Sequence, residues 1–410
     1  MEVRHLSPWL KNVAKRLRLL SLYPYFFLGR WRRRAFTKPL YVAITGSWGK
    51  TTTKELIAAV LNTKGPTSKN QGTHNTRREV VRALFRTRRS HFACVMELGI
   101  HEPGNLDLPL WIFQPQVGVL THIKRDHYTA FRTPEAVAVE KGKLAAAVPD
   151  EGTVILNADD PLVMAMAART GARVVTYGLA PAAQVRAEDL RSAWPEPLTG
   201  TLVVDGRRLP FRTRLHGTHW IHAILAAVAT GKVAGVAPEQ ALAAIAAVPP
   251  VPGRYSPLEV GGITFLRDDW KAPYDSLPAL LQFLEQARAE RKILLMGTIS
   301  DYPGSASPKY RALAREATRF CDKVIFVRTG ALYNLTKGGP DDRIMVFDTL
   351  EALNAFLRSY LREGDFVVVK GSAVDRLERV PLGWATGIRC WLPRCHKIVS
   401  CATCRQWRRA

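Results

Sequence analysis

The pattern of apolar and polar positions divides the chain into a basic leader, two α/β regions and a basic tail. Short apolar runs bounded by turn residues predict strands in the first region, at 41–45, 92–98, 117–122, 154–156 and 173–177. Helical periodicity fills most of the intervals, as at 53–61 and 161–168. This alternation predicts a mostly parallel sheet covered by helices, with a small antiparallel hairpin at 198–216 turning at Asp205 and Gly206.

A proline-rich stretch at 249–253 predicts a boundary, and a second α/β region follows it. Its predicted strands are 293–296, 323–327, 343–347 and 365–369, with helices at 276–288, 310–318 and 350–361. The predicted fold class is therefore α/β, a central P-loop domain with a mostly parallel sheet followed by a C-terminal Rossmann-like domain. The predicted segments are a leader at 1–38, the central domain at 39–250, the C-terminal domain at 251–380 and a tail at 381–410.

Composition narrows the class of protein. The chain has 410 residues, of which 47% are hydrophobic and 23% charged, which excludes wholesale disorder and a multi-span membrane protein. The formal net charge of +24 is concentrated at the two ends, where basic residues usually meet polyanions. No apolar run is long enough for a spanning helix, and the leader lacks a cleavage site. We expect a cytoplasmic protein. A second, narrower expectation is that it contacts the inner membrane face as a peripheral protein.

The leader has an amphipathic pattern. Its apolar residues recur at helical spacing with Lys and Arg between them, at Trp9, Leu10, Val13, Leu17 and Leu20. A helix of this kind lies on an anionic membrane or packs on the body of its own protein, and the pattern leaves both hypotheses open.

The strongest motif follows the first strand and opens a helix. It consists of Gly46, Ser47, Trp48, Gly49, Lys50, Thr51 and Thr52. Glycines let the backbone wrap a phosphate, and the helix N-terminus offers unpaired N–H groups. In such a loop Lys50 neutralises phosphate oxygens and the hydroxyl of Thr51 ligates Mg²⁺. The spacing is the shortened Gly-x-x-Gly-Lys-Thr.

This loop and several motifs after it resemble the Mur ligase family, the ATP-dependent amide-forming ligases of peptidoglycan precursor synthesis, over about 41–380. Within the family, the motifs are most similar to the branch that adds D-alanyl-D-alanine. The resemblance implies ATP and Mg²⁺ as cofactors. It also implies a metal site formed by Thr51, Glu97 in Met-Glu-Leu-Gly, His127, and Lys141 as a carbamylated oxygen ligand. The alternative for Lys141 is an exposed helical lysine, and an imidazole is an unusual Mg²⁺ ligand.

Other matches bear on the nucleotide and on catalysis. The resemblance implies that Asn157 and Asp268 contact the nucleotide, that Arg254 binds the γ-phosphate and that Lys50, Lys141, Arg254 and Lys271 are the catalytic residues. Asp159 and Asp160, beside Asn157, also suit the cap of the next helix. The chain departs from the family at Trp220 and Ala223, where the family usually has two asparagines.

Two further basic features leave alternatives open. Lys370, in Lys-Gly-Ser, binds a substrate carboxylate or is simply a lysine at a strand end. Asn75 lies where relatives bind substrate or metal, and a run predicted to lie on one helix follows it, Arg77, Arg78, Arg82, Arg86, Arg88 and Arg89. This run indicates an anionic substrate or partner, or a solvated face.

The resemblance implies an ATP-dependent carboxylate–amine ligase that forms an acyl phosphate and acts on small-molecule substrates. Only about 45 residues precede the loop, too few for the family's UDP-binding domain, so we expect an acceptor that is a peptidoglycan-type precursor or a lipid-linked or polymeric acid. The alternatives are a ligase outside peptidoglycan, such as one extending poly-γ-glutamate, and a degenerate nucleotide-binding scaffold. Nucleic acid is not an expected partner.

The six cysteines fall into two groups. Cys94 and Cys321 lie in apolar runs and are predicted to be buried thiols. The tail holds Cys390, Cys395, Cys401 and Cys404, with His396 among them. Soft ligands at this density suit a structural Zn²⁺ site, and free thiols are the alternative.

Overall fold

The computed structural model describes residues 22–327, 341–387, 390–392, 395 and 400–404. They form two compact units, and the chain passes between them several times. The first unit contains 22–123, 138–185 and 223–244. The second contains 124–137, 186–222 and the described residues from 245 onward. The predicted membrane-contacting residues from Trp9 to Leu20, and His396 of the tail, lie outside the described part of the chain.

The first unit is built on a parallel sheet. Its strands lie in the order β2-β3-β1-β4-β5-β6. They are β1 (Leu40–Thr45), β2 (Thr67–Lys69), β3 (Ala93–Glu97), β4 (Val117–Leu120), β5 (Thr153–Asn157) and β6 (Arg173–Gly178). Residues of β1, β3, β4 and β5 are almost all buried, as expected for strands covered on both faces. Because all six strands run in one direction, Thr45, Glu97, Leu120 and Asn157 end at the same edge.

Helices follow the strands of this unit. They are α1 (Tyr23–Ala35), α2 (Lys50–Asn62), α3 (Arg77–Arg86), α4 (Asp107–Phe113), α7 (Lys143–Ala147) and α8 (Pro161–Met164). Helix α2 packs on β1, β2 and β3, and α1 packs on α3 and α4. Three helices contain residues of both units, α6 (Pro134–Lys141), α9 (Ile221–Val233) and α10 (Pro238–Ala247).

The second unit has its own sheet, in the order β10-β11-β15-β12-β13-β14. Its strands are β10 (Ser256–Val260), β11 (Ile263–Asp268), β12 (Arg291–Met296), β13 (Lys323–Val327), β14 (Ile344–Phe347) and β15 (Asp365–Lys370). Only the β10–β11 pair is antiparallel. One core includes Phe265, Leu295, Ile325, Leu353 and Val367.

The second unit also contains helices and three strands that do not belong to this sheet. The helices are α5 (Tyr128–Phe131), α11 (Leu277–Gln286), α12 (Ala306–Ala317), α13 (Leu350–Tyr360) and α14 (Arg379–Thr386). The strands are β7 (Val185–Arg191), β8 (Thr199–Val204) and β9 (Arg207–Arg212). Strands β8 and β9 form the predicted hairpin, and its turn has positive φ at both Asp205 and Gly206, as a two-residue hairpin loop requires.

The predicted α/β class is confirmed, and so is the burial of Cys94 and Cys321. The prediction that six arginines share one helix is wrong. Helix α3 ends at Arg86 because Thr87 is extended and its hydroxyl donates a hydrogen bond to the carbonyl of Ala83. Arg88 and Arg89 therefore lie beyond the helix.

The described part of the tail is attached to the second unit through Glu378. Its carboxylate accepts hydrogen bonds from the Ser400 hydroxyl at 2.8 Å and the Cys401 N–H at 3.0 Å. Arg267 and Arg376 also lie 3.5 Å from this carboxylate. A buried carboxylate needs such partners, so these contacts hold the tail against the unit.

His216 connects stability to pH. Burial lowers the pKa of His216 to about 4, although Glu196 nearby raises it, and the ring packs against Trp194 at 4.8 Å. The unfolded chain, with an ordinary histidine pKa near 6.5, binds the proton that the folded chain excludes. The free energy of unfolding should therefore decrease from pH 6.5 to pH 4, by up to about 3 kcal/mol from this group.

Urea unfolding at a series of pH values measures this slope. His216→Phe should reduce the slope of the unfolding free energy against pH, between pH 4 and 6.5, by the amount that corresponds to about one bound proton. Trp194→Phe changes the neighbouring ring but keeps the imidazole, so it should keep the slope of the parent. Equal slopes for His216→Phe and the parent would contradict the assignment.

Candidate active site

The phosphate loop connects β1 to α2 through two glycines with positive φ, 151° at Gly46 and 80° at Gly49. A Cβ atom on Gly46 would lie 1.8 Å from the Thr121 hydroxyl oxygen, so no other residue fits there. The Ser47 N–H donates to the His122 carbonyl at 2.7 Å, which fixes the loop on the end of β4. The N-terminus of α2 thus opens directly after a turn whose first glycine lies against Thr121.

Two lysines converge on this loop. The ammonium groups of Lys50 and Lys141 each donate a hydrogen bond to the Gly46 carbonyl at 2.7 Å. Lys141 is fully buried, which excludes the alternative of an exposed helical lysine. Two ammonium groups on one oxygen repel each other strongly, and the repulsion grows where water is excluded. The arrangement therefore places two basic side chains next to each other at the loop.

Glu97 ends β3 beside the loop and is 2% exposed. One carboxylate oxygen accepts the Thr51 hydroxyl at 2.8 Å, and the other accepts the Asn75 amide at 3.1 Å. The Lys54 ammonium lies 4.0 Å from the first oxygen. A hydroxyl and a carboxylate are the hard oxygen donors that Mg²⁺ prefers, so Thr51 and Glu97 fit the predicted metal site in the first unit.

Sequence reasoning missed two residues of this site. Lys54 is fully buried, and its ammonium group contacts the Gly72 carbonyl and lies 3.2 Å from Glu55. Asn70 is also fully buried, and its amide bonds both the N–H and the carbonyl of Glu97, at 2.9 and 3.3 Å. Lys54 follows Lys50 by one helical turn, a spacing that could have indicated it. No sequence signal indicated Asn70.

Asn157 and Asp160 lie at the end of β5. The fully buried Asn157 amide donates to the Thr121 carbonyl at 2.9 Å and accepts from the Asp159 N–H at 3.1 Å. Its predicted contact with the nucleotide stays a prediction. Asp160 caps α8 by accepting from Leu162 and Val163, as predicted, and it also accepts from the Ile123 N–H at 2.8 Å.

The second unit contains the remaining predicted site residues. The ammonium group of Lys271 contacts the carboxylate of Asp126 and lies 3.4 Å from Asp301. Burial opposes this charge, but the two aspartates outweigh it and raise the pKa of Lys271. His127 has a φ of 50°, and its Nε2 lies 3.6 Å from Asp126. Its role as a metal ligand is not tested by these contacts.

Lys370 and Asp268 end adjacent strands of the second sheet and form a buried ion pair at 2.5 Å. Lys370 also donates to the Lys271 carbonyl at 3.1 Å. Arg254 follows the proline-rich stretch, and its N–H donates to the Val251 carbonyl at 2.9 Å. The predicted roles of Asp268, Arg254 and Lys370 toward ligands stay predictions.

An aromatic cluster occupies the segment that departs from the family pattern. The ring of His219 lies 4.7 Å from Trp220 and 4.4 Å from Tyr255. Burial lowers the pKa of His219 to about 3, and the charge of Lys370 adds to this effect. Trp220 therefore packs against the His219 ring. Ala223 is also buried, and it belongs to the first unit.

The cysteines of the tail give no support for zinc. Cys401 and Cys404 are buried and pack with Cys390. Within the described ranges, no group of three or more His, Cys, Asp or Glu side chains is placed to hold a metal ion. Burial, together with Glu378, raises the pKa of Cys401 to about 11, whereas zinc binds the thiolate.

The fold and the loop are typical of a class of α/β enzymes in which a glycine-rich turn and the N-terminus of the next helix bind a nucleotide phosphate. Comparison with known families identifies which one. Residues 44–231 match the Mur ligase middle domain, and residues 253–373 match the Mur ligase, glutamate ligase domain.

Individual relatives agree with these matches. The UDP-N-acetylmuramoyl-tripeptide–D-alanyl-D-alanine ligase of Mycobacterium bovis is 30% identical over 365 residues, which cover 81% of this chain and 70% of that protein. The chain belongs to the Mur ligase family, and it is an ATP-dependent ligase of the acid–amino-acid type.

Solved structures show the same fold. MurF from Acinetobacter baumannii has a TM-score of 0.79 at 23% identity, covering 88% of this chain and 79% of that one. MurF ligase from Thermotoga maritima, in complex with ADP, has a TM-score of 0.76 at 20% identity, covering 88% and 82%.

Asn70 should be required for stability because it pairs both backbone groups of Glu97. Asn70→Ala leaves buried polar groups unpaired and should lower the free energy of unfolding by about 2 kcal/mol. Asn62→Ala is the matched control, because Asn62 is exposed and accepts one 3.3 Å hydrogen bond from Thr67. Its cost should stay below about 1 kcal/mol. Denaturant unfolding of both variants measures the two changes in the free energy of unfolding. Equal decreases would show that Asn70 contributes no more to stability than Asn62.

Proposed function

We propose that this ligase joins an amino-acid or peptide amine to a carboxylate acceptor of the peptidoglycan-precursor type. The observation that carries the proposal is the convergence of Lys50, Thr51 and Glu97 on a loop closed by Gly46. The mycobacterial relative, named for adding D-alanyl-D-alanine to a UDP-N-acetylmuramoyl-tripeptide, supports this choice of substrates. We propose the cytoplasm as its location.

The proposed reaction has two steps. An oxygen of the acceptor carboxylate attacks the γ-phosphorus of ATP, the bond to ADP breaks, and an acyl phosphate forms. The amine then attacks the acyl carbon and phosphate leaves. Positioning and charge neutralisation supply most of the acceleration in phosphoryl transfer. Bound Mg²⁺ would supply part of that neutralisation.

The residues of the chain would divide the work. Lys50 would leave the Gly46 carbonyl for a phosphate oxygen, and Thr51 and Glu97 would hold the metal. Asn75 and Asn70 would keep the Glu97 carboxylate in place. Arg254 and Lys271 of the second unit would bind phosphoryl oxygens, since a guanidinium fork and an ammonium both suit that geometry.

Two narrower proposals concern the acceptor substrate and the cysteine-containing tail. A lipid-linked or polymeric acid is the second candidate acceptor, because a basic leader at the membrane would suit such an acceptor. Structural Zn²⁺ in the tail is proposed only for a site that would include residues outside the described part of the chain, and metal analysis of the purified protein tests it. The experiment below also tests the two alternatives, a ligase of the poly-γ-glutamate type and a scaffold that does not turn over ATP.

Phosphate release from ATP should depend on the correct acceptor and amine. A panel of UDP-linked peptides, lipid-linked peptides and poly-γ-glutamate, each with D-alanyl-D-alanine or single amino acids, separates the candidates. With the best pair, Lys50→Ala should lower kcat at least about a hundredfold. Lys64→Ala, at an exposed lysine after the same helix, should match the parent. Absence of release from every pair would favour the scaffold.

Lys141 is proposed to carry a carbamate. Its buried amine shares the Gly46 carbonyl with Lys50, and a carbamate, formed from the uncharged amine and CO₂ with loss of a proton, would replace one of two neighbouring positive charges by a negative one. Activity should fall in CO₂-free buffer and return with bicarbonate, and ¹³C-bicarbonate should give one carbamate signal that Lys141→Ala removes. Lys143→Ala, at the partly exposed neighbour, should keep both responses. Activity that is indifferent to CO₂ would count against the carbamate.

A further inference from the structure

Helix α1 is fixed on the first unit by its inner side. A Cβ on Gly29 would lie 2.9 Å from Val81 of α3, so the two helices are in close contact. Arg33 is buried and donates to the carbonyls of Phe113 and Gln114 at 2.8 Å. Arg32 donates to the Leu84 carbonyl at 2.8 Å. Because these contacts come from one side of the helix, the opposite side has a defined orientation toward solvent.

That opposite side is apolar and exposed. Tyr23, Phe27 and Trp31 recur every four residues and Leu28 follows Phe27, and 57% of Phe27 and 65% of Trp31 remain accessible. Phe85 of α3 is also exposed and stacks on Tyr25 at 6.3 Å. We name Tyr23, Phe27, Leu28, Trp31 and Phe85 the outer aromatic face. Several exposed large apolar side chains on neighbouring helices of a folded protein often mark a contact site.

Positive charge surrounds the outer aromatic face. The exposed basic residues next to it in α1, in α3 and just beyond these helices are Arg34, Lys38, Arg86, Arg88 and Arg89. The sequence has no acidic residue between Glu2 and Glu55. The acid of α3, Glu79, is buried and paired with Arg82. The partner of this face must therefore combine an apolar interior with a negative surface.

We propose that the outer aromatic face binds the surface of an anionic lipid bilayer. Aromatic rings prefer the level of the lipid headgroups, and arginines beside them pair with phosphates. Within the described residues no helix is long and apolar enough to cross a bilayer, so α1 lies on the surface. The contact is independent of the acceptor, and it places the unit that contains the phosphate loop at the membrane.

Vesicle flotation of the full chain tests the proposal. The protein should float with vesicles of phosphatidylcholine containing about a quarter phosphatidylglycerol at about 0.1 M salt, and not with phosphatidylcholine alone. The double variant Phe27→Ser, Trp31→Ser should bind at least about tenfold more weakly. Val374→Ser is the matched control, because Val374 is 72% exposed in the second unit, and it should bind like the parent.

The charge is tested separately. Arg34→Gln with Arg86→Gln should weaken binding and reduce its dependence on salt. ATP turnover by all variants should equal that of the parent without vesicles, so that a failure of the ligase proposal is distinguishable from a failure of this one.

Several results would overturn the proposal. One is a full-length parent that does not bind the anionic vesicles. This includes the case in which only a chain lacking residues 1–21 binds them, because the occupant of the face would then be the protein's own N-terminal segment. Another is a double serine variant that binds like the parent, which would show attraction by charge alone. A third is dimerisation of the parent that this variant abolishes without any vesicle binding.

Discussion

The backbone of Gly46 passes so close to Thr121 that a methyl group cannot fit between them, and the active site depends on this approach. It ties the end of β1 to the end of β4 and directs the Gly46 carbonyl at the two lysines. The same turn sets the start of α2, and with it the position of the Thr51 hydroxyl. A larger residue at position 46 would displace the Gly46 carbonyl, the start of α2 and the Thr51 hydroxyl together, because one backbone conformation positions all three.

Glu97 shows how a charge is kept in a nearly dry place. An isolated carboxylate would be strongly destabilised there, but Thr51, Asn75 and the nearby Lys54 compensate for the lost water. Asn70 holds the backbone on either side of it. The carboxylate is therefore oriented by the neutral donors of Thr51 and Asn75, with the Lys54 ammonium 4.0 Å away.

Much of this arrangement was predictable from the sequence. The loop at 46–51, the alternation of strands and helices and the Asp205–Gly206 hairpin follow from local rules about glycine, periodicity and turns. Thr51 and Glu97 could be placed together because parallel strands end at one edge of a sheet. The burial of Lys141 was left open, since a lysine at the end of a short helix has the same local signature whether it is exposed or buried.

The remainder depends on contacts between distant segments. Lys54 and Asn70 are ordinary residues in their local sequence, and only the fold brings them to Glu97. Strands β10 and β11 were missed. They directly follow the proline-rich boundary and are joined by Gly261 and Gly262, so they lack a long apolar run between turn residues. The helix of six arginines was overestimated because Thr87 ends it with a hydrogen bond that composition does not reveal.

The ion pairs of Lys271 constrain what can bind there. Its ammonium group contacts Asp126 and lies 3.4 Å from Asp301. Asp126 is almost fully buried, so this ion pair is held away from water. Binding of an anion at Lys271 would require the pair to rearrange, and the free-energy cost of that rearrangement would be smaller if a positive charge accompanied the anion.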